Sequence, residues 1–190
     1  MKKRCQWPSE IELDYHDKEW GVPVTDDKKW FEYLLLDTFQ AGLSWKIVLQ
    51  KREGFRKAFY DFDVHKVAQM SDEQIAELRE NPNIIRNRLK IKASVTNAQA
   101  FIKIQEEFGS FNSYIWQFTD GKTIHNQFKK LSEIPSISTQ SDKMSKELKA
   151  RGFKFVGSTI CYAFMQASGM VNDHTVNCFR HQEIQKISFN

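Results

Sequence analysis

The chain has 190 residues, 41% of them hydrophobic and 13% aromatic, with a formal net charge of +4 and a pI near 8.9. That is enough apolar material for one sizeable core, and the charge balance suits a polyanionic partner without requiring one. No apolar run approaches the roughly 20 residues of a membrane span, and the basic start Met-Lys-Lys-Arg has no apolar stretch behind it, so neither a spanning nor a secreted protein is expected but a cytoplasmic one.

In chain order, residues 1–26 read as irregular, broken by Pro8 and Pro23. Thr25 or Asp26 can cap a helix over 28–39, whose Trp30, Phe31, Leu34, Leu35 and Phe39 share one face interrupted by Asp37. Gly42 breaks that pattern, and Ser44 can cap a basic helix continuing to residue 59. Asp63 is expected to cap a short helix over 64–70, and Ser71 with Gln74 forms a capping-box pattern for the next. The turn Asn81-Pro82-Asn83 precedes a long amphipathic helix over 84–108; residues 111–118 are short and aromatic, and 121–138 read mostly as loop.

The most informative stretch is 142–178. A Lys-rich helix over 142–151 stops at Gly152, four residues later comes Gly157, and Ser158 and Thr159 open an apolar run over 160–170. Gly152 can end the first helix in the left-handed conformation. Gly157 and Ser158 leave backbone N–H groups free at the mouth of the second, which makes an anion site; Lys149, Arg151 and Lys154 beside it point to phosphate. No alternating β pattern exceeds about four residues, so the chain is expected to be all-α: a single domain over 1–190, built as a two-lobed bundle of roughly eight helices.

Three cysteines make a poor disulfide framework. Cys161 falls inside the apolar run and reads as core. Cys5 and His16, with His174 and Cys178 four residues apart, offer the two sulfurs and two imidazoles that zinc takes in closed tetrahedral sites. Taken singly, Cys5 reads as a surface thiol and His16 as a polar loop residue. The need to anchor an irregular N-terminus favours the quartet, and four protein ligands would make the metal structural. His65, His125 and His181 lack partners at ligand spacing and read as surface residues.

Four motifs stand in order: Tyr15-His16-Asp17-x-Glu19-Trp20-Gly21-Val22-Pro23, Gln40-Ala41-Gly42-Leu43-Ser44-Trp45, Arg151-Gly152-Phe153-Lys154-Phe155-Val156-Gly157 and Val171-Asn172-Asp173-His174. Together they closely resemble the bacterial DNA-3-methyladenine glycosylase I family, over about residues 4–178. The resemblance implies a helix-hairpin-helix fold whose hairpin (Gly152, Lys154, Gly157, Ser158) holds the backbone of alkylated double-stranded DNA. It implies a structural zinc on Cys5, His16, His174 and Cys178, and a monomer.

It also implies a pocket in which Trp45 stacks on the flipped 3-methyladenine, Tyr15 and an acid hydrogen-bond its edge, and Trp7 and Trp20 shape the walls; Trp30 and Trp116 read as core. Bifunctional relatives carry a Lys where this chain has Thr159, so base release without strand cleavage is expected. The family's usual Glu is here Asp37, one methylene shorter. Asp173, sixteen residues after Gly157, is a second carboxylate to weigh: it would support the sugar cation and activate water, or cap a turn, or brace a metal ligand. A non-catalytic DNA-binding module with the same zinc and hairpin is the competing reading.

Overall fold

The structure, a computed structural model, describes residues 2–187. It is mostly helical among these residues, and one helix organises it. The N-terminal stretch is not irregular: a 3-10 turn, Glu10–Glu12, leads into α1 (Leu13–Lys18). The missed signal is Ser9 with Glu12, whose carboxylate accepts from the Ser9 amide at 2.9 Å and its hydroxyl at 2.7 Å. Helix α2 (Asp27–Gln40) starts one residue early, with Asp26 accepting from the Lys29 amide.

Every residue of α2 from Trp30 to Phe39 is buried, Glu32, Asp37 and Thr38 included. A helix covered on all sides needs partners on all sides, and the segments that follow supply them. The basic helix expected to run to residue 59 is broken at Lys51 (φ −102°, ψ 5°) into α3 (Trp45–Gln50) and α4 (Arg52–Ala58). Next come α5 (Val64–Ala68), capped by Asp63, and α6 (Asp72–Glu80), opened by the Ser71–Gln74 capping box. The long helix α7 (Arg88–Phe108) begins later than its apolar pattern suggests, because Asn87 takes the cap and accepts from the Leu89 and Lys90 amides. After α8 (Phe111–Ile115), residues 121–138 are not all loop. Ile124–His125 forms β1.

The last third holds α9 (Thr139–Ala150), α10 (Ser158–Ala167), β2 (Val171–Asn172) and α11 (Phe179–Gln185). α9 starts earlier than expected because Ser138 and Ser141 cap it, and α10 stops three residues short of the apolar run's end because Gly169 turns at φ +72°. β1 and β2 pair in parallel, Ile124 with Val171 and His125 with Asn172; two residues are too few to show a period in sequence. His181, read as a surface residue, is buried because α11 folds back and its Nε2 meets the Asn126 carbonyl at 2.8 Å. The Cys161 and Trp30 expectations hold: both are core, as is Trp116, whose indole donates to the Val24 carbonyl. No helix among the described residues is long and apolar enough to cross a membrane.

Two clamps tie the N-terminal segment to this frame. Gly21 and Val24 amides donate to the Gln166 and Ser168 carbonyls at the end of α10. Glu19 accepts both terminal nitrogens of Arg52 at 2.7 Å and Lys29 at 3.0 Å. Burial alone would raise the Glu19 carboxyl, but these cations outweigh it and hold it down at about 2. The N-terminal segment also runs tight against Gly169, where a Cβ would stand 2.3 Å from the Val22 carbonyl carbon. Gly169→Ala is therefore expected to destabilise by about 2 kcal/mol, from the left-handed backbone and the forced separation together, read as a lower denaturation midpoint.

Candidate active site and metal centre

A cavity of about 190 Å³ opens between the N-terminal segment, the end of α2, the start of α3 and the face of α10. That is below the roughly 300–1,000 Å³ of drug-sized sites and suits one flat ring system. Trp7, Tyr15, Trp20, Asp37, Gln40 and Trp45 line it, with Leu131, Ile134, Ala163 and Gln166. Tyr15 and Trp45 have ring centroids 5.1 Å apart, and Trp7 meets Trp20 edge-on at 5.0 Å. All five predicted pocket residues therefore converge. Gln40, Leu131, Ile134, Ala163 and Gln166 were missed; only Gln40 carried a signal, standing one helical turn beyond Asp37.

The polar lining is unusual for what it lacks. Trp7 Nε1, Asp37 Oδ2, Gln40 Oε1 and Trp45 Nε1 are buried with no hydrogen-bond partner, and only three other side-chain atoms among the described residues share that condition. An unpaired buried polar atom costs about 1–3 kcal/mol, so four around one cavity mark a place built to be filled by something with donors and acceptors of its own. Asp37 is 1% exposed, and burial pushes its carboxyl well above the usual range. Burial, with Tyr33, Asp37 and Glu19 nearby, raises the Tyr15 phenol likewise and keeps it a donor.

Asp173 stands differently. Its Oδ1 accepts from Asn126 at 2.7 Å, and its Oδ2 from the Tyr162 hydroxyl at 2.7 Å and Gln166 at 2.8 Å. It is saturated with donors and reaches the cavity only through Gln166.

Beside the cavity, Cys5, His16, His174 and Cys178 are all buried, with their donor atoms within 4.8 Å of one another. Sulfur–nitrogen distances are 3.6 Å for Cys5–His174, 3.6 Å for Cys178–His16 and 3.5 Å for Cys178–His174. Zinc bonds of about 2.3 Å to sulfur and 2.0–2.1 Å to nitrogen put the sulfur–nitrogen edge of a tetrahedron at about 3.6 Å. The outer nitrogens are also committed: His16 Nδ1 to Asp17 at 2.7 Å and His174 Nε2 to the Trp20 carbonyl at 2.9 Å. Both rings thus carry their proton outward and turn a lone pair inward, as metal ligands do. Arg4 fixes Asp17 in turn through its Nε and Nη2. The donor set, its spacing and its tautomers fit a closed zinc site.

At the α9–α10 connection, Gly152 (φ +94°) ends α9 in the expected left-handed conformation, and Gly157 (φ −62°, ψ 160°) caps α10. A Cβ at either would meet nothing within 4 Å, so both backbones face open space. Asn97 of α7 accepts from the Lys154 amide at 2.8 Å and donates to its carbonyl at 3.1 Å, which sets the loop. One expected contributor to the anion site is otherwise engaged, Arg151, which turns back onto Glu107 at 2.7 Å; the Ser158 hydroxyl, not its amide, bonds Asp142 at 2.5 Å.

A methyladenine glycosylase family model matches residues 5–181. The chain belongs to the methyladenine glycosylase family. It is 49% identical over 178 residues to DNA-3-methyladenine glycosylase 1 of Escherichia coli K12, covering 93% of this chain and 95% of that one. The fold superposes on a crystal structure of 3-methyladenine DNA glycosylase I with a TM-score of 0.91 at 47% identity, covering 93% and 98% of the two chains. It superposes also on a tyrosine-to-phenylalanine variant of a 3-methyladenine DNA glycosylase I in complex with 3-methyladenine, with a TM-score of 0.89 at 36% identity and coverage of 96% and 95%. The relative solved with 3-methyladenine bound thus shares this chain's backbone over nearly its whole length.

Proposed function

We infer that the protein is a DNA-3-methyladenine glycosylase of base excision repair: it hydrolyses the N-glycosidic bond of 3-methyladenine in alkylated duplex DNA, releases the base and leaves an abasic site. The observation that carries this is the aromatic cavity with four unpartnered polar atoms, in a chain of this family. A purely DNA-holding role leaves that cavity unexplained.

The target base leaves the stack at a cost of a few kcal/mol, less where methylation has weakened its pairing. Trp45 recovers part of that cost by stacking, and the Tyr15 hydroxyl by donating to the base edge. The methylated nucleotide carries a positive charge, so its base departs without prior protonation, and the protein's task is recognition and charge stabilisation. Burial raises the Asp37 carboxyl in the empty cavity; the arriving cation favours its charged form, with any proton lost to water, and the carboxylate accepts from the base edge. Asp173 braces Gln166 and Tyr162 and acts as a positioning residue. Thr159 at the start of α10 offers no amine to attack the sugar, which supports a monofunctional reaction.

The whole chain acts as one helix-hairpin-helix glycosylase domain, monomeric and cytoplasmic. The Gly157 and Ser158 amides hold a phosphate of the duplex through backbone N–H groups, with the left-handed turn at Gly152 and the side-chain charge of Lys154 beside them. Cys5, His16, His174 and Cys178 hold a structural zinc, which supplies cross-linking of the chain ends and no catalytic position.

The test is release of free 3-methyladenine from methylated duplex DNA, with an intact strand until alkali is added. Trp45→Ala is expected to lower the single-turnover excision rate roughly 30-fold, the equivalent of about 2 kcal/mol of lost stacking, with the far-ultraviolet circular dichroism unchanged. No released base, or strand cleavage without alkali, overturns the reading.

A further inference from the structure

Gln40 closes α2, one turn beyond Asp37 and on the same face, and lines the cavity. Its Oε1 is buried and accepts no hydrogen bond, as does Asp37 Oδ2. The backbone on either side is clamped. Lys90 of α7, itself buried, donates its Nζ to the Phe39 carbonyl at 2.8 Å and to the Ala41 carbonyl, the peptides flanking Gln40. These are carbonyls that the end of a helix leaves without intrahelical partners, so a fixed cation sets the last turn and with it the place of the amide.

The cavity therefore presents two unsatisfied acceptors, from Asp37 and Gln40, and two unsatisfied indole donors, from Trp7 and Trp45. An exocyclic amine carries two hydrogens, and the ring nitrogens of an aminopurine are acceptors. The two acceptors match the two amine hydrogens, and the Trp7 indole matches a ring nitrogen. A purine with an oxygen in place of that amine sets an acceptor against two acceptors, a mismatch that leaves buried groups unpaired and is the kind of contact that discriminates most strongly.

We propose that Gln40 is a specificity-determining residue, which accepts the second hydrogen of the exocyclic amine while Asp37 accepts the first. This rests on the glycosylase reading above. Two acceptors from one helix turn also explain how the cavity reads the amine with Asp37, whose carboxylate reaches one methylene less far than a glutamate would.

The experiment compares binding of two free bases, 3-methyladenine and 3-methylhypoxanthine, by quenching of tryptophan fluorescence, in the zinc-loaded wild type, Gln40→Met and Gln40→Leu. The wild type is expected to prefer the amine-bearing base, and Gln40→Met to weaken it about tenfold while leaving 3-methylhypoxanthine within twofold. Gln40→Leu repeats the comparison should the longer side chain repack, and thermal denaturation checks that each variant is folded. Equal losses for both bases, or no loss for 3-methyladenine, overturn the assignment. A wild type that releases no 3-methyladenine from DNA instead overturns the glycosylase reading, so the two failures are distinct.

Discussion

Removing the metal, or one of its ligands, is expected to cost more stability than any other local change. Zinc sites of this donor set contribute on the order of 10 kcal/mol to folding, while a whole domain has only about 5–15 kcal/mol in hand. Cys178→Ser or His174→Ala is expected to lose more than half of the unfolding free energy, and metal analysis to find one zinc per wild-type chain and less than a tenth of that in either variant. Because Cys must be deprotonated and His neutral to bind, zinc is retained at neutral pH and released as pH falls. The cavity will fail with the site. Trp7 lies two residues from Cys5, Tyr15 adjoins His16, and the Trp20 carbonyl holds His174. Quenching of tryptophan fluorescence by 3-methyladenine should vanish on chelation at denaturant concentrations where helical circular dichroism persists. A chelated protein that still binds the base, at unchanged denaturation midpoint, would exclude the structural zinc.

The second large effect is at Asp37, where activity and stability are expected to move in opposite directions. Asp37→Asn removes the one charge that faces the cationic base, and single-turnover excision should fall about 100-fold, the upper part of the range of about 1.5–3 kcal/mol for a hydrogen bond to a charged group. The same change should stabilise the empty protein at neutral pH. The sign follows from burial: the folded carboxyl binds its proton more tightly than the unfolded one does. The stability this proton confers is fully present below the unfolded value near 4 and is lost as pH rises through the raised folded value. Wild-type stability should decline across that window and Asp37→Asn should not. Excision should rise with pH over the same window in the wild type alone. A wild-type pH profile shared by the Asn variant would remove Asp37 from recognition.

The parts legible in the sequence were those written in residue type and short spacing. Two His and two Cys could be singled out because no other His or Cys stood at ligand spacing, and the structure brings those four side chains together. Helix identities came through, since Trp30 to Phe39 and the stretch after Ser158 carry enough apolar residues to require burial. Boundaries did not, because caps decide them: Asn87 and Ser138 each moved a helix start by several residues without disturbing the pattern inside. The cavity was half legible. Motif residues on the N-terminal segment and α3 were found through resemblance, while Leu131, Ile134 and Gln166 come from segments with no local mark of a site. His181 was misjudged because burial at a chain end depends on what the last helix packs against.

The four donor atoms lie at opposite ends of the chain, with Cys5 separated from His174 by 169 positions. Closing so long a loop early in folding would carry a large entropic cost for little return. During synthesis the four side chains cannot meet until Cys178 has emerged, so the nascent protein can assemble its central helices first and would take up the proposed ion last. A product truncated before Cys178 would own every residue of the cavity and still lack the fourth donor.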